Sequence, residues 1–475
     1  NSVAGNTVLG ESALDASVSG GNNTAIGLEA LTSMTSGTQN TAVGRLSLTT
    51  LTTGGSNTAI GSLALYQATT GSNNVGVGYN ALGTNSTASN NTAVGYSSLA
   101  ANTTASNNTA IGNLALTSNT TGHSNVAVGA NALDANTTAQ NNTAVGLSSL
   151  GANTTGTANT GLGSKSLEDT TTGSNNTGIG YQALESNTTG TQNVSVGSGA
   201  LFANTTASNN TAVGFLALEA NTSGDELVAV GRGALGANTT ANHNTAIGTS
   251  SFAANTTGTN NTGCGYNSGA TNTTGGNNTA IGDFALNANT TANNNTAVGY
   301  AALLSNTTGA SNTAVGAEAM DAATTAHSSV CIGSESGGAI TTGVNNTAVG
   351  HQALDATTTS SFNVAVGSGA LGANTESAQT AVGHNALHNV TTGHSNVAVG
   401  TDAGDVLTTG INNVILGRSA QPSSATVSNE VVLGSSSISA LRCNTQTISA
   451  LSDARDKTNV TDLPQGLDFI TKLRP

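Results

Sequence analysis

The sequence predicts an all-β rod, a parallel β-solenoid or β-roll of 26 coils, and three observations carry that expectation. First, the phrase Asn-Thr-Ala-Val/Ile-Gly returns every 17 residues. Its glycine falls at Gly10, Gly27, Gly44, Gly61, Gly78, Gly95 and Gly112, and so on to Gly367. One coil is a residue short, at Gly383, and the count resumes at Gly400, Gly417 and Gly434. A fixed short period means one unit stacked on copies of itself. Second, the residue four positions after the glycine is mostly apolar: Leu14, Leu31, Leu48, Leu65, Leu82, with Phe252 and Met320 as variants, while Gly269, Gly337 and Gly404 break the row. Third, glycine and β-branched residues recur too often for any uninterrupted helix.

Within one repeat the elements follow in order. Thr-Ala-Val is a short strand, and the glycine after it opens a tight turn. A second segment holds the Leu anchor, and a polar stretch such as Ala-Asn-Thr-Thr-Gly closes the coil. Ten residues after the landmark glycine stands, nearly always, Gly or Ala, as at Gly37, Gly122, Gly190, Ala105 and Ala207, where a bulkier side chain would collide at a bend. The strand Thr is replaced by Val at Val75, Val126, Val194, Val330, Val364 and Val397. Two residues on stands Val, Ile or Leu, with Cys264 once. Residues i and i+2 share a strand face, so this apolar pair is expected inside, with Asn, Ala and Gly on the outer wall. At about 4.8 Å per coil the rod would span roughly 120 Å. Few aliphatic side chains per 17 residues make a thin core, so a second source of burial is expected. The small-residue wall is the expected place for chains to pack, as a homotrimer.

Composition bounds the remaining classes. Only 7% of residues are charged and 3% aromatic, which would suggest disorder were the apolar positions not so strict. A net charge of −14 disfavours nucleic acid and anionic membrane surfaces as partners. No apolar run approaches the roughly 20 residues of a membrane span, so no membrane insertion is expected. With no initiator Met and no signal peptide, the chain is expected to lack its natural N-terminus. Three cysteines form no framework. Cys264 and Cys331 stand where other coils have Val and Ala, Cys443 lies beyond the array, and all three are expected as free thiols. Three regions are expected: the repeat array 1–434, a connecting β segment 435–451, and a distinct segment 452–475.

Few motifs in the array point to chemistry. The Asn-X-Thr triplets are a by-product of the repeat, and the Asn residues are expected to form ladders along the rod rather than glycosylation sites. Regular Thr arrays can bind ice, but the strand Thr here is often Val, which makes ice binding a lesser reading. Gly-Gly-X-Gly-X-Asp calcium repeats are absent from the sequence. His351, His384, His388 and His394 recur with no ligand spacing, so they are expected as solvated turn residues, with no metal or other cofactor. Tyr79, Tyr96, Tyr181, Tyr266 and Tyr300, with Phe215, all follow a landmark glycine directly. Such a lengthwise aromatic row can cover seams between chains, the favoured reading, or bind a glycan or receptor. A glycan-cleaving enzyme would need convergent paired carboxylates. None recurs, and the adjacent pair Asp225-Glu226 is expected on a solvated turn.

After Gly434 the period stops and charges concentrate. Ser452-Asp453-Ala454-Arg455-Asp456-Lys457 leads to Asn459-Val460. Gly466-Leu467-Asp468-Phe469-Ile470-Thr471-Lys472-Leu473-Arg474-Pro475 follows, with helical spacing from about Leu463 and Pro464 suited to a first helical turn. Ser452–Pro475 resembles the start of the C-terminal intramolecular chaperone domain of phage tailspikes and tail fibres. That resemblance implies a domain that guides trimerisation and then cleaves itself away. It would make Ser452 the nucleophile, Lys457 the base that takes the serine proton, and Leu451–Ser452 the scissile bond. The helical remainder that the family carries after this opening is not in the sequence.

The array itself is similar to the heads of trimeric bacterial autotransporter adhesins, whose coils carry repeats of the type Asn-Ser-Val-Ala-Ile-Gly. The resemblance implies left-handed parallel β-rolls in a trimer; the longer repeat here carries over the fold rather than any binding residue. Together these features lead us to expect a structural adhesive fibre for host or surface recognition. A phage tail fibre on a virion, with a surface glycan or protein receptor as partner, is the first expectation. A bacterial cell-surface adhesin fibre is the alternative.

Overall fold

The computed structural model describes residues 3–440 and 442. Twenty-six strands of three residues each run from β1 (Thr7–Leu9) to β26 (Val431–Leu433), one per coil. Each strand pairs in parallel with the next, giving one continuous sheet. The register is that of the repeat: Thr24 lies beside Thr41, Ala25 beside Ala42, Ile26 beside Val43. Across the short coil the register is kept, with Val364 beside Thr380. The rest of each coil is turns, and no helix occurs among the described residues. The helical spacing from Leu463 lies outside them, and the part of the connecting segment that is described, 435–440 and 442, contains no strand.

The landmark glycine is required twice over. Its φ is between +124° and +141° in the coils from Gly10 to Gly417, a region that side chains disfavour. A Cβ at Gly112 would also stand 2.4 Å from the carbonyl oxygen of Gly129 in the next coil. Two residues further on, and again at the Leu, the backbone enters the left-handed region: Leu114 has φ +56° and Leu116 has φ +53°. That conformation costs a non-glycine residue about 1–2 kcal/mol. Complete burial of the Leu contributes about 2–3 kcal/mol, so burial wins.

One expectation is corrected. The Thr and Val of the strand do not face the interior. In Thr92–Val94 and its fellows the central Ala is fully buried, while the flanking residues are only partly covered. The interior is too narrow for a branched pair. A Cβ added at Gly178, a strand centre, would lie 3.1 Å from Leu167 Cγ and 3.0 Å from the Ala183 carbonyl oxygen. Ala or Gly therefore fills the strand centre, Leu fills the facing turn, and the Ala or Ser just before that Leu completes the layer. The small-residue wall is the core of a single chain, and the β-branched pair forms the outer face of the sheet.

The glycines that interrupt the Leu row are compensated by their neighbours. A Cβ at Gly269 would lie 2.6 Å from the ring of Phe252, one coil earlier. At Gly337 the space is taken by Cys331 Sγ and Ile340 Cδ1, 2.7 and 2.8 Å from such a Cβ. At Gly404 the same role falls to Ile415 and Leu387, each with a methyl at 2.8 Å. Packed volume is thus held nearly constant along the rod.

Two Asn ladders supply what the thin apolar core lacks. In the outer one, Asn40 N–H and Nδ2 both donate to Asn23 Oδ1, at 2.9 and 3.1 Å, and Asn40 Nδ2 also reaches the Gly54 carbonyl at 3.0 Å. Its members are buried from Asn23 onward, and this matches the expectation of Asn ladders. The inner ladder stands seven residues after the landmark glycine. Asn102 Nδ2 donates to Asn85 Oδ1 at 2.7 Å and to the Ala105 carbonyl at 2.9 Å. Buried amides need such partners, since an unmet one costs about 1–3 kcal/mol.

Candidate adhesive faces of the rod

Three surfaces follow from this fold. The first is the outer face of the sheet. One column holds Thr, or Val at the positions read from sequence, and the other holds Val, Ile or Leu. Because the strand centre turns inward, this pair is left partly uncovered in every coil. Ile60, Leu162, Ile247 and Val399 are each between 42% and 46% exposed. Cys264 stands in this second column, exposed and unpaired, whereas Cys331 is a buried strand centre. Burial pushes the Cys331 thiol up to about 12, so the two cysteines differ in reactivity as well as place.

The second surface is the aromatic row. Tyr79, Tyr96, Tyr181, Phe215, Tyr266 and Tyr300 all stand exposed, at about half of full accessibility. The row is not continuous. Tyr79 and Tyr96, in adjacent coils, stack with centroids 5.5 Å apart and planes 13° from parallel. Tyr266 and Tyr300, two coils apart, are joined by Phe284, which meets their rings edge to face at 5.2 and 6.3 Å. Tyr181 and Phe215 have no ring partner among the described residues. Sequence reasoning missed Phe284, which sits one position further along the turn. The signal was its place next to Asp283, the column position in the coil between two tyrosines.

The third surface is made of turns. The first Thr of each Asn-Thr-Thr stretch is committed to the ladder, as Thr103 Oγ1 donates to the Thr120 carbonyl at 3.2 Å. The second, such as Thr104 or Thr121, is exposed. Asp225 Oδ1 accepts the Ser208 N–H at 2.6 Å, and Glu226 faces His243 at 3.2 Å. The histidines named from sequence are dispersed. His384 is 3.7 Å from Asp402, His388 Nδ1 lies 2.8 Å from the Gly369 carbonyl, and His351 and His394 are exposed. Among the described residues no group of three or more His, Cys, Asp or Glu is placed to hold a metal ion. No helix among them is long and apolar enough to cross a membrane.

Carboxylates gather in two places. Lys165 Nζ lies 2.9 Å from Glu168 and 3.7 Å from Glu185, and Asp134 and Asp169 line a cleft with Glu168. Burial raises Asp134 and Glu185 above the usual carboxylate range, and the attached carboxylates hold the Lys165 ammonium charged to higher pH. Asp321 and Asp355 are raised likewise, by burial first and by neighbouring carboxylates second. Ser452, Lys457 and the Leu451–Ser452 bond, with Cys443, lie outside the described residues. No protein-family model matches the chain, and no curated protein matches it.

Proposed function

We propose that the chain is a subunit of a structural adhesive fibre, assembled as a homotrimer through the outer face of its sheet. One observation carries this reading. A half-covered apolar column runs the whole length of the rod, from Leu9 to Leu433, although the core behind it is already complete. Soluble monomers rarely leave a contiguous patch of that extent. The Thr column becomes more apolar towards the C-terminal end, where Val330, Val364, Val397, Val414 and Val431 replace Thr. An assembly of three rods would cover both columns and give the thin-cored coil its second source of burial. The small-residue packing wall expected from sequence is replaced here by the β-branched face.

The phage tail fibre reading, with a surface glycan or protein as receptor, adds the resemblance of Ser452–Pro475 to the chaperone opening. Self-cleavage at Leu451–Ser452, with Ser452 as nucleophile and Lys457 as its base, rests on that resemblance. The bacterial adhesin fibre shares the array and differs in what it is anchored to. The deciding experiment is the native intact mass of the full-length gene product, before and after denaturation. Three chains support the fibre, and chains ending at Leu451 support the cleavage, which Ser452→Ala should abolish. A stable monomer sinks the trimer. In that case the outward Thr column of the sheet favours the ice-binding reading, and thermal hysteresis of the monomer would test it.

A further inference from the structure

Of the aromatic groups on the rod, one differs in charge from the rest. Tyr266, Asp283 and Tyr300 occupy the same column in three successive coils, and Phe284 joins the two tyrosine rings edge to face. Asp283, exposed and in the coil between the two tyrosines, has Oδ1 accepting the Tyr266 N–H at 2.8 Å. Glu318 adjoins the group, its N–H bonded to the Tyr300 carbonyl at 2.9 Å. Neither carboxylate forms an ion pair among the described residues. Elsewhere the column is arranged oppositely. Lys165 lies near Tyr181, and Arg232 follows Phe215 one coil later. There a cation of the chain stands one coil from the ring; here an anion does, and no cation pairs with it.

Aromatic faces carry negative potential, and a carboxylate adds to it. Two tyrosines with an uncompensated Asp between them therefore attract a positive group of low hydration that touches rings and carboxylate together. A neutral sugar also stacks on such rings and donates hydroxyls to a carboxylate, but it draws no Coulombic attraction from two uncompensated acids. We propose that Tyr266, Asp283, Phe284 and Tyr300 form a binding patch for a quaternary ammonium group presented by the surface the fibre adheres to. The proposal deepens the adhesive reading and rests on it for its purpose, though not for its geometry.

The test uses the full chain and tetramethylammonium chloride, at ionic strength held constant with sodium chloride, read by NMR of labelled tyrosine rings. Saturable shifts are expected at Tyr266 and Tyr300 and not at Tyr79 and Tyr96, which stack on each other with no acid between them. Asp283→Asn should weaken binding about tenfold. Lack of any response at Tyr266 and Tyr300 overturns the proposal. So does equal binding of the uncharged analogue tert-butanol, or tighter binding of a methyl hexoside, which would make the patch a sugar platform. The mass of the same sample separates the two readings. A trimer without ammonium binding sinks the patch alone, whereas a monomer that binds ammonium keeps the patch and sinks the fibre.

Discussion

The middle and the ends of this rod solve one position differently. Seven residues after the landmark glycine, the central coils place Asn from Asn85 to Asn306, broken once by Thr170. The first coils have Met34, Leu51 and Ala68 there, and the last have Ala323, Ile340, Thr357, Asn374, Val390 and Leu407. All are buried, so the same interior space is filled by amides in one region and largely by hydrocarbon in the other. The amide column has direction, since each Nδ2 donates to the Oδ1 of the coil before. Its defects follow from that. Asn153 Oδ1 and Asn306 Oδ1, the acceptors left where the next coil has no Asn, find no donor among the described residues, and neither does Thr170 Oγ1. An Asn ladder demands that every coil agree with its neighbours, whereas apolar contacts accept substitution. The one 16-residue coil, Gly367–Gly383, lies outside the Asn85–Asn306 run, and in the outer ladder beside it Asn363 Nδ2 is left without an acceptor.

Experiments can break this contrast in order of size. The largest effect should come from a feature both regions share. Gly146→Ala puts a Cβ 2.3 Å from the Gly163 carbonyl oxygen at φ +139°, and should cost about 3 kcal/mol or more. Amide exchange should show protection lost in the two coils that meet there, while distant coils keep theirs, because each coil depends mainly on its neighbours.

Within the ladder, Asn221→Leu removes the donor to Asn204 Oδ1 and the bond to the Gly224 carbonyl, and should cost about 2–3 kcal/mol. At the apolar end, Leu51→Met should cost less than about 1.5 kcal/mol, as volume is kept. Equal losses in denaturant titrations would show that the two cores do not differ in the way described. Gly269→Leu should cost about 1–3 kcal/mol by crowding Phe252, and Phe252→Leu in the same chain should restore most of it. Additive losses would mean that the two positions are not exchanging volume. The smallest change is a gain. Thr170→Asn should rejoin the ladder and stabilise the array by about 1 kcal/mol, again visible in local exchange.

Cysteine chemistry sharpens the reading of the outer face. Cys264 should react with a thiol reagent in the separated chain, and Cys331, with its thiol pushed up to about 12, should not. Protection of Cys264 on assembly, and its loss on dissociation, would place the seam on the sheet face. Equal reactivity in both states would move the seam elsewhere.

Much of this was legible in the chain. The 17-residue period, the strand at Thr-Ala-Val, the parallel register and the ladder role of Asn all follow from a repeat in which every copy must satisfy the same neighbours. The faces of the strand were misread, because alternation marks two sides of a strand but not which one is inside. Side-chain size points to the larger residues as core, although inside a coil this narrow Ala, Gly or Ser stands opposite the Leu from the second coil onward. The glycines that interrupt the Leu row read as breaks, yet they suit the left-handed backbone there, and their missing volume returns from Phe252, Ile340, Ile415 and Leu387. Likewise the row of aromatics was visible, but not that Phe284 and Asp283 divide it into patches of different charge.

The sequence by itself determined the coil, since period, turn glycine and Asn spacing are local demands repeated 26 times. Only the tertiary structure decided which face is core and which is surface. That choice depends on the distance between the walls of one coil, which no single repeat specifies until the chain has closed around it.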